Sequence, residues 1–186
     1  MIPLSNTNSL FNSMTYRFKS VLVDPGDLWE GFDDVSDILL THAHYDHIYG
    51  LNSVVEKNPE VLVYTNEYGK RMLLDDRLNL SKYQDKSFVF SHPDKIILVN
   101  DGDRIRIGGG LMAEAVFTPG HNPSCITWIV GDAIFTGDSY IHAIKTVTNL
   151  PGGNRQQANE SEQIIKLLSL GKKIYPGHGG DDTISV

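Results

Sequence analysis

Thr41-His42-Ala43-His44-Tyr45-Asp46-His47 places three imidazoles and one carboxylate within six consecutive residues. The stretch directly follows the apolar run Ile38-Leu39-Leu40, which predicts a buried strand that ends at the cluster. Neutral histidine is the commonest side-chain metal ligand, and a carboxylate adds a hard oxygen donor. Because packing does not require so many polar donors side by side, the stretch predicts a metal site.

Further candidate donors follow apolar strands elsewhere in the chain. His121, Asp138 and His178 each come just after a predicted strand and beside a glycine, which lets the backbone turn tightly and lets donors approach closely. If these strand ends lie along one edge of a sheet sandwich, separated segments deliver their donors to one place. The candidate metal ligands are His42, His44, Asp46, His47, His121, Asp138 and His178.

The number of donors favours two metal ions. One tetrahedral zinc ion takes four ligands, so seven candidates are too many for one ion and suit two. His142 follows Asp138 closely enough to line the site, but the donor set is complete without it. The sequence therefore predicts a binuclear centre.

The rest of the chain reads as short strands and a few helices. Val21-Leu22-Val23 predicts one strand, and Ser9-Leu10-Phe11 suggests another before it. Residues 75–94 form a long polar excursion, a candidate lid or substrate-contact segment. A late helix is expected to bury Ile164, Ile165, Leu167 and Leu168.

Several motifs together resemble one known family. The His-x-His-x-Asp-His pattern of residues 42–47 is similar to the signature of the metallo-β-lactamase superfamily. Thr118-Pro119-Gly120-His121, Phe135-Thr136-Gly137-Asp138 and Tyr175-Pro176-Gly177-His178-Gly179 resemble its later motifs, in the right order. Val23-Asp24-Pro25-Gly26 and Leu150-Pro151-Gly152-Gly153 also look like family landmarks, and the most similar branch is the hydroxyacylglutathione hydrolase (glyoxalase II)-like one.

The resemblance implies a fold and a set of ligand assignments. The fold is expected to be α+β, a four-layer αββα sandwich of two mixed β-sheets with helices on the outer faces. The resemblance assigns His42, His44 and His121 to one metal and Asp46, His47 and His178 to the other, with Asp138 bridging them. The expected cofactors are two divalent metal ions, zinc first, with iron or manganese as alternatives.

The expected chemistry is hydrolysis by a metal-bridging hydroxide. Two ions lower the pKa of a shared water and polarise the substrate carbonyl, and Asp46 is the candidate catalytic residue that orients the hydroxide. Candidate substrate contacts flank the ligand motifs at Tyr45, Tyr140, His142 and Lys145. The chain lacks the C-terminal helical region with which glyoxalase II enzymes grip glutathione, so a small ester, a thioester and a lactone all stay open as substrates.

Three other functions stay open on the same scaffold. A mononuclear iron dioxygenase of the persulfide type needs only His42, His44, His121 and Asp138. A nuclease or phosphodiesterase and a non-catalytic binding protein are weaker alternatives. The net charge of −7 argues against a nucleic-acid or anionic-membrane surface, which leaves a small-molecule substrate as the expected partner.

Composition limits the remaining choices. The 186 residues, with 40% hydrophobic and 21% charged residues, suit a single domain over residues 1–186. Cys125 is the one cysteine, so an intrachain disulfide and a cysteine-based zinc site are excluded, and its apolar surroundings indicate a core residue. The first twenty residues show no signal-peptide pattern, which favours a cytoplasmic location, and the oligomeric state is left open.

Overall fold

The computed structural model describes residues 2–27 and 32–179, which form two mixed β-sheets stacked face to face. The first sheet has the order β1-β2-β3-β4-β5-β6, in which β1 to β3 are antiparallel neighbours and β3 to β6 run parallel. Its strands are β1 (Leu4–Thr7), β2 (Met14–Phe18), β3 (Val21–Val23), β4 (Asp37–Leu39), β5 (Leu62–Thr65) and β6 (Ile96–Leu98).

The second sheet has the order β11-β10-β9-β8-β7 and is antiparallel except for the β10–β11 pair. Its strands are β7 (Arg104–Ile107), β8 (Leu111–Phe117), β9 (Ile126–Val130), β10 (Ala133–Gly137) and β11 (Lys173–Pro176). The helices are α1 (Tyr45–Ile48), α2 (Leu51–Lys57), α3 (Glu67–Leu73) and α4 (Arg155–Leu168), and short 3₁₀ turns occupy Ser81–Tyr83, Pro93–Lys95 and Gly108–Gly110.

An aromatic cluster holds the two sheets together. Phe18 of the first sheet stacks on Phe135 of the second, with ring centroids 5.4 Å apart, and Phe135 also stacks on Tyr175 at 5.2 Å. Trp128 is fully buried in the same layer, and its Nε1 donates a hydrogen bond to the carbonyl of Leu40, 2.9 Å away. This bond ties the second sheet to the segment that leads into the histidine cluster.

A second core lies on the outer face of the first sheet. Successive strand residues point to opposite faces, so Leu22 and Ile38 face away from the aromatic cluster and pack with α2 and α3. Every residue of both strands is buried, as expected for parallel strands covered on both sides. The residues 75–94 belong to this layer, because Phe88 and Phe90 are buried there.

Helix α4 covers the outer face of the second sheet. It connects the parallel strands β10 and β11, and the inner face of that sheet is already filled by the aromatic cluster. With α2 and α3 on the outer face of the first sheet, α4 completes the predicted αββα order of layers. The expectation of an α+β fold is therefore confirmed. No helix in the described ranges combines the length and apolar character needed to cross a membrane.

Two local expectations are wrong. Residues Ser9-Leu10-Phe11 form a turn rather than a strand, because Phe11 adopts a positive φ of 54°, and the edge strand is Leu4–Thr7 instead. In α4, Ile165 is buried but Ile164 is 42% exposed and Leu167 is 72% exposed.

The buried face of α4 is built from small residues because the helix lies directly on a loop backbone. Ser161 donates a hydrogen bond to the carbonyl of Pro119 at 2.6 Å. A Cβ added to Gly120 would lie 2.2 Å from the backbone nitrogen of Ala158, so neither side has space for a larger side chain. This contact bears on the candidate site, because the loop under α4 carries His121.

Candidate metal centre

The ends of four strands meet at one edge of the sandwich and carry all seven predicted donors. Backbone hydrogen bonds fix these ends to one another: Ile126 donates to the carbonyl of Thr41 at 2.7 Å, and Gly177 donates to that of Gly137 at 2.9 Å. Gly177 must be glycine, because a Cβ there would lie 2.2 Å from Asp138 Oδ1. The predicted convergence of separated segments is therefore present in the structure.

The first donor group consists of His42, His44 and His121, whose donor nitrogens all lie within 4.8 Å of one another. His44 Nδ1 is 2.9 Å from His121 Nε2, and the His42 Nε2 atom is buried without a hydrogen-bond partner among the described residues. His121 Nδ1 lies 2.8 Å from the Val147 carbonyl and donates to it, which leaves Nε2 as the nitrogen that faces the group. The three residues thus bring one nitrogen each close together, as ligands of one metal ion would be.

Burial keeps His42 and His44 of the first donor group neutral. It lowers the pKa of His42 well below its ordinary value, and it lowers the pKa of His44 to about 3, with the nearby His121 acting in the same direction. Neutral imidazoles are the form that binds metal ions, so these residues need not lose a proton to do so at pH 7.

The second donor group consists of Asp46, His47 and His178. Asp46 Oδ2 is 3.3 Å from His47 Nε2 and 3.3 Å from His178 Nε2, and the two nitrogens are 3.3 Å apart. The far nitrogen of His178, Nδ1, lies 3.0 Å from the carbonyl of Phe11 and donates to it. As in the first donor group, a backbone or side-chain acceptor fixes the ring and directs the opposite nitrogen inward.

Asp138 lies between the two donor groups. Its Oδ2 is 3.5 Å from His121 Nε2 and 3.3 Å from His178 Nε2, and its Oδ1 is 3.5 Å from His47 Nε2. Oδ1 is buried and has no hydrogen-bond partner among the described residues. An unsatisfied buried carboxylate oxygen is costly, and a cation on either side would satisfy it.

The carboxylates of the centre require positive charge beside them. Burial alone would raise the pKa of Asp46 and of Asp138, but the adjacent His47 and His178 hold both carboxyl pKa values below their ordinary range. Conversely, burial opposes protonation of His178, yet hydrogen bonds to Asp138 and Asp46 raise its pKa to about 9. Protons on His47 and His178, or bound cations, can supply this charge, and the donor set therefore fits divalent metal ions.

Asp24 is a part of the centre that sequence reasoning did not select. Its Oδ1 accepts from the Thr41 amide at 2.7 Å, and its Oδ2 lies 3.1 Å from His47 Nδ1. His47 can therefore present Nε2 to the second donor group while Asp24 holds the other side of its ring. A signal existed, since Asp24 directly follows the strand β3, which lies beside β4 and runs parallel to it.

Asn122 and Ser13 also support the donors and were not predicted. Asn122 Nδ2 lies 3.3 Å from His44 Nε2, and Ser13 Oγ donates to the carbonyl of Asp46 at 2.7 Å. Both residues are buried, so their hydrogen bonds fix the positions of the metal-facing side chains.

The predicted substrate contacts lie in two places. Tyr45 is half-buried beside Phe88, with ring centroids 6.1 Å apart, on the side of the 75–94 segment. Tyr140, His142 and Lys145 line a groove against α4 that includes none of the seven donors. Their contact with a substrate stays a prediction, as does that of Tyr45 and of residues 75–94.

Comparison with known proteins gives the same family over most of the chain. A model of the metallo-beta-lactamase superfamily matches residues 19–178. A probable metallo-hydrolase of Bacillus subtilis (strain 168), YqgX, is 35% identical over 151 residues, which are 79% of this chain and 70% of that protein. Hydroxyacylglutathione hydrolase of Xylella fastidiosa (strain M12) is 28% identical over 183 residues, or 95% of this chain and 62% of that enzyme. The chain therefore spans less than two thirds of the length of that enzyme.

Solved structures share the architecture. The crystal structure of BLEG-1 B3 metallo-beta-lactamase matches with a TM-score of 0.85 at 24% identity, over 96% of this chain and 92% of that one. TTHA1623, crystallised in a di-iron-bound form, matches with a TM-score of 0.77 at 22% identity, over the same shares of the two chains. At these identities the similarity establishes the fold. The superfamily model covers every strand end that carries a donor, and the chain belongs to the metallo-beta-lactamase superfamily.

Proposed function

We propose that the protein is a binuclear metal-dependent hydrolase that cleaves a small ester, thioester or lactone. The observation that carries this proposal is the presence of two complete three-residue donor groups with Asp138 between them. The kinship with YqgX, a probable metallo-hydrolase, and with hydroxyacylglutathione hydrolase supports hydrolysis as the reaction class.

Each donor group would hold one divalent ion, and Asp138 would offer an oxygen to each. When bound, such ions lower the pKa of a water molecule and polarise a carbonyl group. We take zinc as the first expectation, while histidine and carboxylate donors also suit iron or manganese. The di-iron form of TTHA1623 gives a reason to keep iron under test.

Asp46 is the residue that we propose to act on the attacking water. Its side chain is 13% exposed, so part of it is accessible to solvent. The neighbouring His47 and His178 keep its pKa low, which makes it an ionised hydrogen-bond acceptor at neutral pH. Asp46 can accept a hydrogen bond from the attacking water and so orient it. Cys125 is not the nucleophile, because it is buried and burial raises its pKa to about 12.

The substrate that we propose is a small molecule. A chain with a net charge of −7 offers little attraction to nucleic acids or anionic membranes. Tyr45, Tyr140, His142 and Lys145 remain the proposed substrate contacts. The leading substrate class is a thioester, because hydroxyacylglutathione hydrolase is a relative over most of the chain.

The mononuclear iron dioxygenase is the second candidate function. It would use the first donor group and Asp138, and it would leave the second donor group (Asp46, His47 and His178) without a role in metal binding. The second donor group is as closely assembled as the first, with all three of its pairwise distances at 3.3 Å. We therefore favour the binuclear hydrolase.

The test is a substrate panel on metal-loaded protein purified without chelators. Thioester, ester, lactone and phosphodiester probes are each assayed before and after chelation, and a persulfide is assayed for oxygen uptake. The proposal expects hydrolysis of at least one acyl substrate and its loss on chelation, restored by added metal. Oxygen uptake with a persulfide, and no acyl hydrolysis, would select the dioxygenase instead.

Asp46→Asn separates the two functions further. Because Asp46 is proposed to orient the water as well as to bind metal, we expect the substitution to lower kcat by at least about a hundredfold. Asp94→Asn, at an exposed carboxylate away from the centre, is the matched control and should leave kcat unchanged. Full hydrolytic activity in the Asp46→Asn protein would reject the proposed role.

A further inference from the structure

A basic groove runs between residues 140–148 and α4, outside the metal centre. Its wide part has a volume of about 380 Å³ and is lined by Tyr140, His142, Ile144, Lys145, Glu162 and Lys166. A narrow end, of about 10 Å³, continues from Lys145 to Thr148, Arg155 and Asn159. That space holds about one oxygen-sized group, so the groove offers a broad opening and a small polar recess.

The charge of this groove is opposite to that of the chain as a whole. The protein carries a net charge of −7, yet the groove presents Lys145, Arg155 and Lys166 against one lining carboxylate, Glu162. Glu162 is already paired with Lys166, whose Nζ lies 2.6 Å from its Oε1. Within the described ranges neither Lys145 nor Arg155 forms an ion pair with a carboxylate, so both remain available to an anion.

Both walls of the groove are fixed to the metal-centre loops. Residues 140–148 begin two positions after Asp138, and Thr146 Oγ1 donates to the carbonyl of Ser139 at 3.2 Å. The Val147 carbonyl accepts from His121 Nδ1 at 2.8 Å. On the other wall, the amide of Asn154 donates to the carbonyl of Gly120 at 2.7 Å. The backbone segments that carry Lys145 and Arg155 are therefore attached to the loops of the metal centre.

We propose that this groove binds a small molecule through a phosphate or carboxylate group held between Lys145 and Arg155. One oxygen of the acid group enters the recess, where Thr148 and Asn159 add hydrogen-bonding groups, and the rest of the acid group lies at its mouth. The organic part of the ligand lies in the wide part, over Tyr140 and Ile144. Anion binding here requires neither the metal ions nor the reaction proposed above.

The chemistry is the same whether the acid group belongs to the substrate or to a separate ligand. A substrate that carries an acid group would reach from the groove to the centre along residues 140–148. A separate anion would link these residues to α4 and hold the Val147 carbonyl against His121. The experiment distinguishes these two sources after it has tested the site itself.

The test measures binding of inorganic phosphate and of succinate to the zinc-loaded protein by titration calorimetry and by backbone amide shifts in NMR. We expect the shifts to fall on residues 145–148 and 155–159. Loss of two exposed ion pairs in Lys145→Met/Arg155→Gln should weaken binding about tenfold. Lys57→Met/Arg106→Gln makes the same charge change at exposed positions of other layers and should not alter the dissociation constant. Equal binding by both double variants, or shifts confined to residues near His121 and His178, would overturn the proposal.

A second comparison identifies the source of the acid group. If the substrate supplies it, Arg155→Gln raises KM for a thioester with an acid tail more than it raises KM for the neutral amide analogue of that thioester. If a separate ligand supplies it, both KM values stay the same and added phosphate changes turnover in the parent protein alone. Either result supports the site. A protein that hydrolyses no substrate but still binds phosphate at residues 145–159 would reject the proposed function and keep this inference.

Discussion

Replacing Asp24 by asparagine tests whether a residue outside the donor groups controls the second metal position. Asp24 is buried and accepts hydrogen bonds from the Thr41 amide at 2.7 Å and from the Thr41 hydroxyl, and it faces His47 Nδ1 at 3.1 Å. Asparagine has one acceptor oxygen where aspartate has two, so its NH₂ group must face one of these donors. Asparagine also tolerates the positive φ of 50° at this position, so the backbone can stay in place.

The expected loss of metal affinity in Asp24→Asn follows from one hydrogen-bond donor that loses its acceptor. A buried donor that loses its acceptor costs about 1–3 kcal/mol, and 1.4 kcal/mol is about a tenfold change in an equilibrium constant. If the cost falls on His47, the metal affinity of the second donor group should fall about 10- to 100-fold, the range typical of residues that orient a ligand. Asp24→Ala removes every acceptor and adds an unfavourable φ, so it should lower the free energy of unfolding by about 3–5 kcal/mol.

Competition with a chromogenic chelator measures the metal affinities of the first and second donor groups. Urea unfolding of the metal-free protein measures its free energy of unfolding. Asp27→Asn is a matched control, since Asp27 also accepts hydrogen bonds, from Ser9 and from Tyr49 Oη, but belongs to neither donor group. We expect its metal affinities to stay within about twofold of the parent protein. Two unchanged affinities in Asp24→Asn would refute the assignment of Asp24 as the residue that orients His47.

Three further predictions concern the core. Cys125 is 1% exposed and burial raises its pKa to about 12, so its thiol should not react with a disulfide reagent at pH 8 until the protein is unfolded; rapid labelling of the native state would contradict this. Trp128→Phe leaves the Leu40 carbonyl without its donor and should lower the free energy of unfolding in urea by about 1–3 kcal/mol, whereas an unchanged value would show that the bond contributes nothing. Gly50→Ala places a Cβ 2.0 Å from the carbonyl oxygen of Gly26 and should cost about 1–3 kcal/mol; a variant as stable as the parent protein in the same assay would rule out this close contact.

Much of the centre could be predicted because its donors are polar residues at the ends of apolar strands. His121, Asp138 and His178 each follow a strand, and the sheet brings those ends to one edge. Asp24 has the same position after β3, but its neighbours Pro25 and Gly26 read as an ordinary turn. Its function depends on the parallel pairing of β3 with β4, which is a long-range contact that local sequence does not specify.

The errors in the fold have a similar origin. The spacing of Ile164 and Leu167 suggested a buried face for α4, whereas the helix lies on the backbone of Gly120 and buries Ala158 and Ser161 instead. Edge strand β1 has no apolar alternation, and it exists because it pairs with β2. In each case the packing partner decided which residues are buried, and that partner is distant in sequence.

The surroundings of the proposed substrate contacts could be predicted least. Lys145 was predicted as a substrate contact because it flanks the motif that carries Asp138, but only the structure places it beside Arg155 of α4. Hydrophobic periodicity carries no information about such a pair, since both residues are exposed.

Metal content is the most direct test of the binuclear centre. Mass-spectrometric quantitation on protein purified without chelators should give about two divalent ions per chain. His178→Gln removes one member of the second donor group and should lower the count to about one, while His142→Gln should keep two. One ion per chain in the parent protein, unchanged by His178→Gln after metal is added in excess, would contradict a two-metal centre.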